Sequence, residues 1–111
     1  MTRVVSISSY QVAVAACSRG FNEWRANIII TTADPATRCD LRFVDDVATV
    51  QQLEQVSETG ISQVYLPSTQ FSGFLQYLQT EKPLSLVLYG TAKRVIVQTG
   101  AEPPGERELS S

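Results

Sequence analysis

The sequence predicts an α+β domain: an antiparallel sheet of five to six strands, with two helices on one face. Three observations support this class. Several stretches alternate apolar and polar residues with the period of a β-strand, and one stretch has helical spacing. The connections between these stretches are short and rich in turn residues, which favours strands that neighbour each other in the chain. The predicted element order is β-β-β-α-(β)-α-β-β.

The clearest helix lies in residues 68–80. Its apolar side chains follow the i, i+3, i+4, i+7 spacing of one helix face: Phe71, Phe74, Leu75 and Leu78. Ser68 has the side-chain chemistry of an N-cap residue, and Pro83 favours extended backbone at Lys82 before it. We therefore expect a helix that begins at Ser68 and ends before Pro83.

Two strands follow this helix. Residues 84–89 alternate leucine with other residues, and residues 94–98 continue with a mostly apolar strand. Gly90 lies between them in a tight turn, where glycine tolerates positive φ. The helix stripe and this hairpin predict the nucleus of the core.

The chain opens with one long strand over residues 3–17. Val5 and Ile7 share one face, whereas the other face carries Tyr10, Val12 and Val14. Because the phase changes at Ser8-Ser9, we expect a β-bulge or bend there. The remaining small side chains, Ala13, Ala15 and Cys17, leave room for the close approach of another layer or another subunit.

Residues 24–31 and 39–44 complete an antiparallel meander with the first strand, joined by turns at residues 18–22 and 33–37. Asp45 and Asp46 then precede Val47, Val50 and Leu53, which predicts a second helix that ends at Gly60. A short apolar segment, residues 61–66, has the composition of one more strand.

The charge distribution predicts one domain over residues 1–99 and an extended polar tail over residues 100–111. The formal net charge is −2, and the tail accounts for all of it, with Glu102, Glu106 and Glu108 against Arg107. Residues 1–99 are balanced, so no net field attracts a polyanion or a membrane surface.

The sequence predicts a cytoplasmic protein without a membrane segment. The opening MTRVVSIS lacks a long apolar run, which argues against a secretory signal. Two cysteines, Cys17 and Cys39, do not form a disulfide framework in a chain of 111 residues. Reduced thiols are therefore expected.

The residue content weakens most catalytic hypotheses. The chain has no histidine, the commonest general base and metal ligand, and no phosphate-binding glycine motif. We expect no metal and no cofactor. Asp45 and Asp46 form the best carboxylate pair for cation binding or acid–base chemistry, although the capping preferences favour a structural role for them at a helix start.

The turn near residue 20 carries the predicted binding residues Arg19, Phe21, Trp24 and Arg25. Arginines interleaved with aromatic residues can clamp phosphates and stack on bases, and they are also enriched at protein interfaces. Alternatively, Trp24 is a core residue and the arginines are solvated.

The closing residues TGAEPPGERE resemble the end of small bacterial proteins of about this length that have no assigned function. The resemblance covers roughly a tenth of the chain and carries no catalytic residue, so it implies no activity.

Three functional hypotheses remain open at this stage. The first is a non-catalytic binding or interaction module that forms a homo-oligomer, with a protein or small molecule as partner. The second is a domain that binds single-stranded nucleic acid through Arg19, Phe21, Trp24 and Arg25; its balanced charge counts against it. The third is a small enzyme or ligand-binding protein that uses Asp45 and Asp46.

Overall fold

The computed structural model describes residues 2–15 and 25–99. Within these residues, six strands form a single curled sheet in the order β4-β3-β2-β1-β5-β6, and one α-helix packs on it. The elements are β1 (Thr2–Val14), β2 (Ala26–Thr32), β3 (Arg38–Val44), β4 (Ile61–Pro67), α1 (Phe71–Thr80), β5 (Leu84–Tyr89) and β6 (Arg94–Thr99). The α+β class is therefore confirmed.

The sheet is mixed, so the prediction of a purely antiparallel sheet is wrong. β1, β2 and β3 form the expected antiparallel meander, and β5 and β6 form the expected hairpin. β4, however, runs parallel to β3. Residues 45–60 carry the chain back along the sheet before β4 starts, and a connection of this length allows parallel pairing.

The second predicted helix, after Asp45 and Asp46, is also wrong. Two short 3₁₀ turns, Val47–Thr49 and Gln51–Leu53, replace it. Several residues in this segment are β-branched, which lowers helix propensity. The chain beyond the turns instead bonds the edge of β4, where Glu54 Oε2 accepts the Tyr65 N–H at 2.9 Å.

The apolar stripe of α1 faces the core as predicted. Leu78 is fully buried, and the other members of the stripe pack against the core cluster: Phe71, Phe74 and Leu75. Ser68 does not cap this helix. Residues Ser68–Gln70 form a 3₁₀ turn, and the Ser68 hydroxyl donates to Asp45 Oδ1 at 2.9 Å. Gln70 is the N-cap residue of α1, and its side chain makes no capping hydrogen bond.

The predicted β-bulge in β1 is confirmed at Ser8. Ile7 lies opposite Thr32 and Ser9 lies opposite Thr31, so Ser8 is the extra residue. The bulge changes the phase of the strand. As a result, Tyr10, Val12 and Val14 lie opposite the buried side of β2, on the same face as Val5 and Ile7.

Arg3 ties several segments together beside this core. Its guanidinium donates to Asp34 Oδ2 at 2.9 Å, to Thr37 Oγ1 at 2.7 Å and to the Glu58 carbonyl oxygen at 2.7 Å. The Glu58 carboxylate in turn accepts the Gly90 N–H at 3.1 Å. The Arg3 contacts join the start of β1 to the β2–β3 turn and to the segment before β4. The Glu58 carboxylate joins that same segment to the β5–β6 turn.

Replacing Leu78 with alanine tests the position of the core. Leu78 is 0% exposed, so Leu78→Ala is expected to lower the free energy of unfolding by about 2–5 kcal/mol. Urea denaturation measures this loss. Gln79→Ala, on the exposed side of the same helix, is the control, and its effect is expected to stay within about 0.5 kcal/mol. Equal losses in the two variants would mean that α1 packs through another face.

Replacing Asp34 with asparagine tests the Arg3 contacts through pH. The Arg3 guanidinium, the Ala36 N–H and the Thr37 hydroxyl lower the pKa of Asp34. Because its folded pKa lies below the unfolded value of about 3.9, the carboxylate stabilises the fold above that pH. That contribution is lost as the pH falls through the folded pKa.

Asp34→Asn is therefore expected to be less stable than the wild type at neutral pH, and the difference should shrink in acid. Denaturant unfolding from neutral pH down to about pH 2 measures this difference. In an Arg3→Gln background the pH-dependent difference should be smaller, because the main cause of the pKa shift is gone. A difference that stays constant across the pH range would contradict the role assigned to this ion pair.

Candidate functional site

β1 extends beyond the end of its neighbour β5. Its first half, Thr2 to Ser6, pairs with β5, and its second half, Ile7 to Val14, pairs with β2. Among the described residues, no strand pairs with the β5 side of the second half. We call residues 8–14 the open edge of β1. This edge presents main-chain N–H and C=O groups that can pair with another strand.

The open edge is apolar on the face that carries the core elsewhere in the sheet. Val12 is 40% exposed and Val14 is 61% exposed, although the residues opposite them in β2, Ile28 and Ala26, are buried. Residues 9–14 have the sequence SYQVAV, and none of residues 8–14 carries a charge. The surface therefore combines free strand pairing with exposed valine side chains.

A cleft of about 440 Å³ lies at the fork where β5 and β1 separate. Its apolar wall comes from β1, α1 and β5: Ile7, Tyr10, Leu78 and Leu84. Ser8, Ser9, Lys82 and Pro83 complete the lining. Because Ser8, Ser9 and Tyr10 belong to both features, the cleft is continuous with the open edge. A strand that paired with residues 8–14 would pass its side chains over this cleft.

Two of the other exposed edges in the described part of the sheet are covered by neighbouring segments. Gln55 bridges Gln63 of β4, and Glu54 accepts the Tyr65 N–H. The β2–β3 turn covers the far side of the first half of β1, where the Ala33 N–H donates to the Ser6 carbonyl oxygen at 2.9 Å. The outer edge of β6 carries one charged residue, Arg94, and no strand pairs with it among the described residues. Over residues 9–14 the open edge has no charge, no bulge and, among the described residues, no covering segment, and these are the usual protections against strand addition.

The predicted binding residues Arg19, Phe21 and Trp24 lie outside the described residues, so their role stays a prediction. Arg25 is described, and its Nε donates to Asp45 Oδ2 at 2.7 Å. This ion pair joins the start of β2 to the end of β3. Of the small side chains predicted to face another subunit, Ala13 is exposed and Ala15 is half-buried, while Cys17 lies outside the described residues.

The two carboxylates of the enzyme hypothesis have structural partners. Asp46 accepts the Ala48 N–H at 3.2 Å and caps the first 3₁₀ turn, as the capping alternative predicted. Arg25, and then Ser68, lower the pKa of the exposed Asp45 carboxyl. Asp45 therefore stays ionised at neutral pH, which suits an ion pair better than general acid catalysis.

The buried thiol has no nucleophilic character. Cys39 is 0% exposed, and burial, together with the neighbouring Asp40 carboxylate, raises its pKa to about 12. The reactive thiolate is thus scarce at neutral pH. Over residues 2–15 and 25–99, no group of three or more His, Cys, Asp or Glu residues is arranged to hold a metal ion.

No protein-family model matches the chain, and the comparisons with curated proteins and with solved structures found no match either. In the part of the chain that the structure describes, no helix is long and apolar enough to cross a membrane. Function is therefore inferred from the geometry of the open edge and its cleft.

Sequence reasoning singled out β1 for its small residues and missed the open edge. One signal for it was present. The predicted first strand is more than twice as long as the strand at residues 84–89, which turns out to be its partner. Such a difference in length leaves part of the longer strand without a partner on that side.

Proposed function

We propose that this protein is a non-catalytic interaction module that works as a homodimer through the open edge of β1. The observation that carries this proposal is the seven-residue, uncharged edge with two exposed valines beside an apolar cleft. An edge of this kind in a monomer would invite aggregation. Pairing with a second copy satisfies its main-chain groups and covers its side chains.

The sequence of the edge is self-complementary. In an antiparallel pair centred on Gln11, a two-fold axis perpendicular to the sheet sets each Tyr10 opposite the Val12 of the other copy. The two sheets then join with their apolar faces on the same side, as an isologous interface requires. Aromatic and β-branched residues form favourable cross-strand pairs, and no like charges meet.

The cleft gives this register a second contact. In the same arrangement, Val14 of one copy lies opposite Ser8 of the other, which lines the cleft. Val14, the most exposed large apolar side chain among the described residues, would thus meet the apolar wall formed by Ile7, Leu78 and Leu84. This match between an exposed valine and an apolar cleft favours a second copy over an arbitrary extended peptide.

The two alternative functions gain no support from the described residues. For nucleic-acid binding, Arg25 already pairs with Asp45, and residues 1–99 carry balanced charge. For an enzyme, Asp45 and Asp46 are exposed and bonded to Arg25, Ser68 and the Ala48 N–H. Neither Asp45 nor Asp46 lines either of the two cavities described among residues 2–15 and 25–99.

Charging the centre of the open edge tests the homodimer. Val12→Lys would bury an ammonium group against an apolar face, so we expect the dimer dissociation constant to rise at least about tenfold. Sedimentation equilibrium over a range of protein concentrations measures this constant. The wild type should approach twice the chain mass as its concentration rises.

Val4→Lys provides the matched control for this experiment. Val4 is 54% exposed and belongs to the same strand, but it lies outside residues 8–14. Its dissociation constant should equal that of the wild type. A wild-type chain that sediments as a monomer at every concentration would overturn the homodimer, and equal weakening by both variants would overturn the open edge as its surface.

A further inference from the structure

A second apolar groove lies between β4 and β6, away from the open edge. Its apolar lining comes from β3, β4, α1 and β6: Leu41, Val64, Leu66, Phe74, Val95 and Val97. The groove encloses about 220 Å³. This volume corresponds to about seven water molecules at roughly 30 Å³ each, so it suits a small ligand or one alkyl chain.

The rim of the groove carries two cations. Lys93 and Arg94 line it from the β5–β6 turn and the start of β6, and both are exposed. The ion pairs formed within residues 2–15 and 25–99 involve neither of them. Their charges are therefore available to a ligand that lies in the groove.

Glu54 supplies the only acidic group among the lining residues of the groove. Its Oε2 accepts the Tyr65 N–H at 2.9 Å, so this oxygen is engaged at the edge of β4. Two cations against one carboxylate leave the rim with a net positive charge. An apolar lining with a positive rim is complementary to an amphiphile with a negative head group.

We propose that the groove between β4 and β6 binds a small anionic amphiphile, with an alkyl or aryl carboxylate as the ligand class. The apolar part lies on Leu41, Val64 and Phe74, and the carboxylate bonds Lys93 and Arg94. Such bonds are charge-assisted and stronger than neutral hydrogen bonds. This binding goes beyond the proposed dimer, because the lining residues of the groove and the open edge do not overlap.

Titration of the isotope-labelled full chain with octanoate tests the proposal, and the amide chemical shifts are the readout of binding. The largest shifts should fall on the β4 and β6 residues that line the groove. Octanol and octylammonium have the same alkyl chain with a neutral or a positive head, and we expect both to bind more weakly than octanoate. Equal affinity for the three compounds would overturn recognition of the anionic head.

Variants at the rim separate charge from packing. Lys93 has a φ of 53°, so Lys93→Asn removes the charge with a residue that tolerates left-handed backbone. We expect Lys93→Asn and Arg94→Gln each to weaken octanoate binding about two- to fivefold, as exposed ion pairs do. Glu54→Gln should strengthen it, because the amide oxygen still accepts the Tyr65 N–H while the repelling charge is gone.

Lys82→Gln is the control, since Lys82 is an exposed lysine that lines the other cleft. Its affinity for octanoate should equal that of the wild type. Unchanged affinity in Lys93→Asn and Arg94→Gln would overturn the proposal, and so would shifts confined to the cleft beside β1 or the absence of any shift. The dimer constant is measured separately, so failure of one proposal is distinguishable from failure of the other.

Discussion

The fold depends on the β-bulge at Ser8. Side chains alternate along a strand, so an unbroken β1 would turn Tyr10, Val12 and Val14 away from the face that carries Val5 and Ile7. The extra residue keeps all of these side chains on one face. β1 can then pair with β5 in its first half and with β2 in its second half around a common core. The bulge also marks the fork between β1 and β5, where the cleft lies. The bulge at Ser8 therefore shapes both the core and the candidate surface.

Local patterns predicted most of the elements of this fold. The stripe of α1 and the β5–β6 hairpin depend on residues close together in the chain, and the bulge depends on a phase change within one strand. The missing second helix and the parallel β4 depend on distant contacts. Glu54 bonds the Tyr65 N–H eleven residues later, and Gln55 bridges Gln63. These edge contacts compete with helix formation in residues 45–60, and neither propensity nor periodicity reveals them.

The candidate site was less predictable than the fold. The alternation of Tyr10, Val12 and Val14 was readable, but their exposure follows from the shortness of β5 and from the pairing of β5 with the first half of β1. The groove between β4 and β6 joins Leu41, Val64, Phe74 and Val95, which no local pattern links. Arg25 was predicted from its neighbours to bind a partner. In the structure its guanidinium joins β2 to the end of β3 through Asp45, and its role in binding stays a prediction.

The central claim is that two copies pair through the open edge in a register centred on Gln11. Isotope-filtered nuclear Overhauser spectra of a mixture of labelled and unlabelled chains test it most directly. Intermolecular contacts are expected between the Tyr10 ring of one copy and the Val12 methyl groups of the other. A dimer whose intermolecular contacts all arise from other surfaces, with none from residues 8–14, would contradict it.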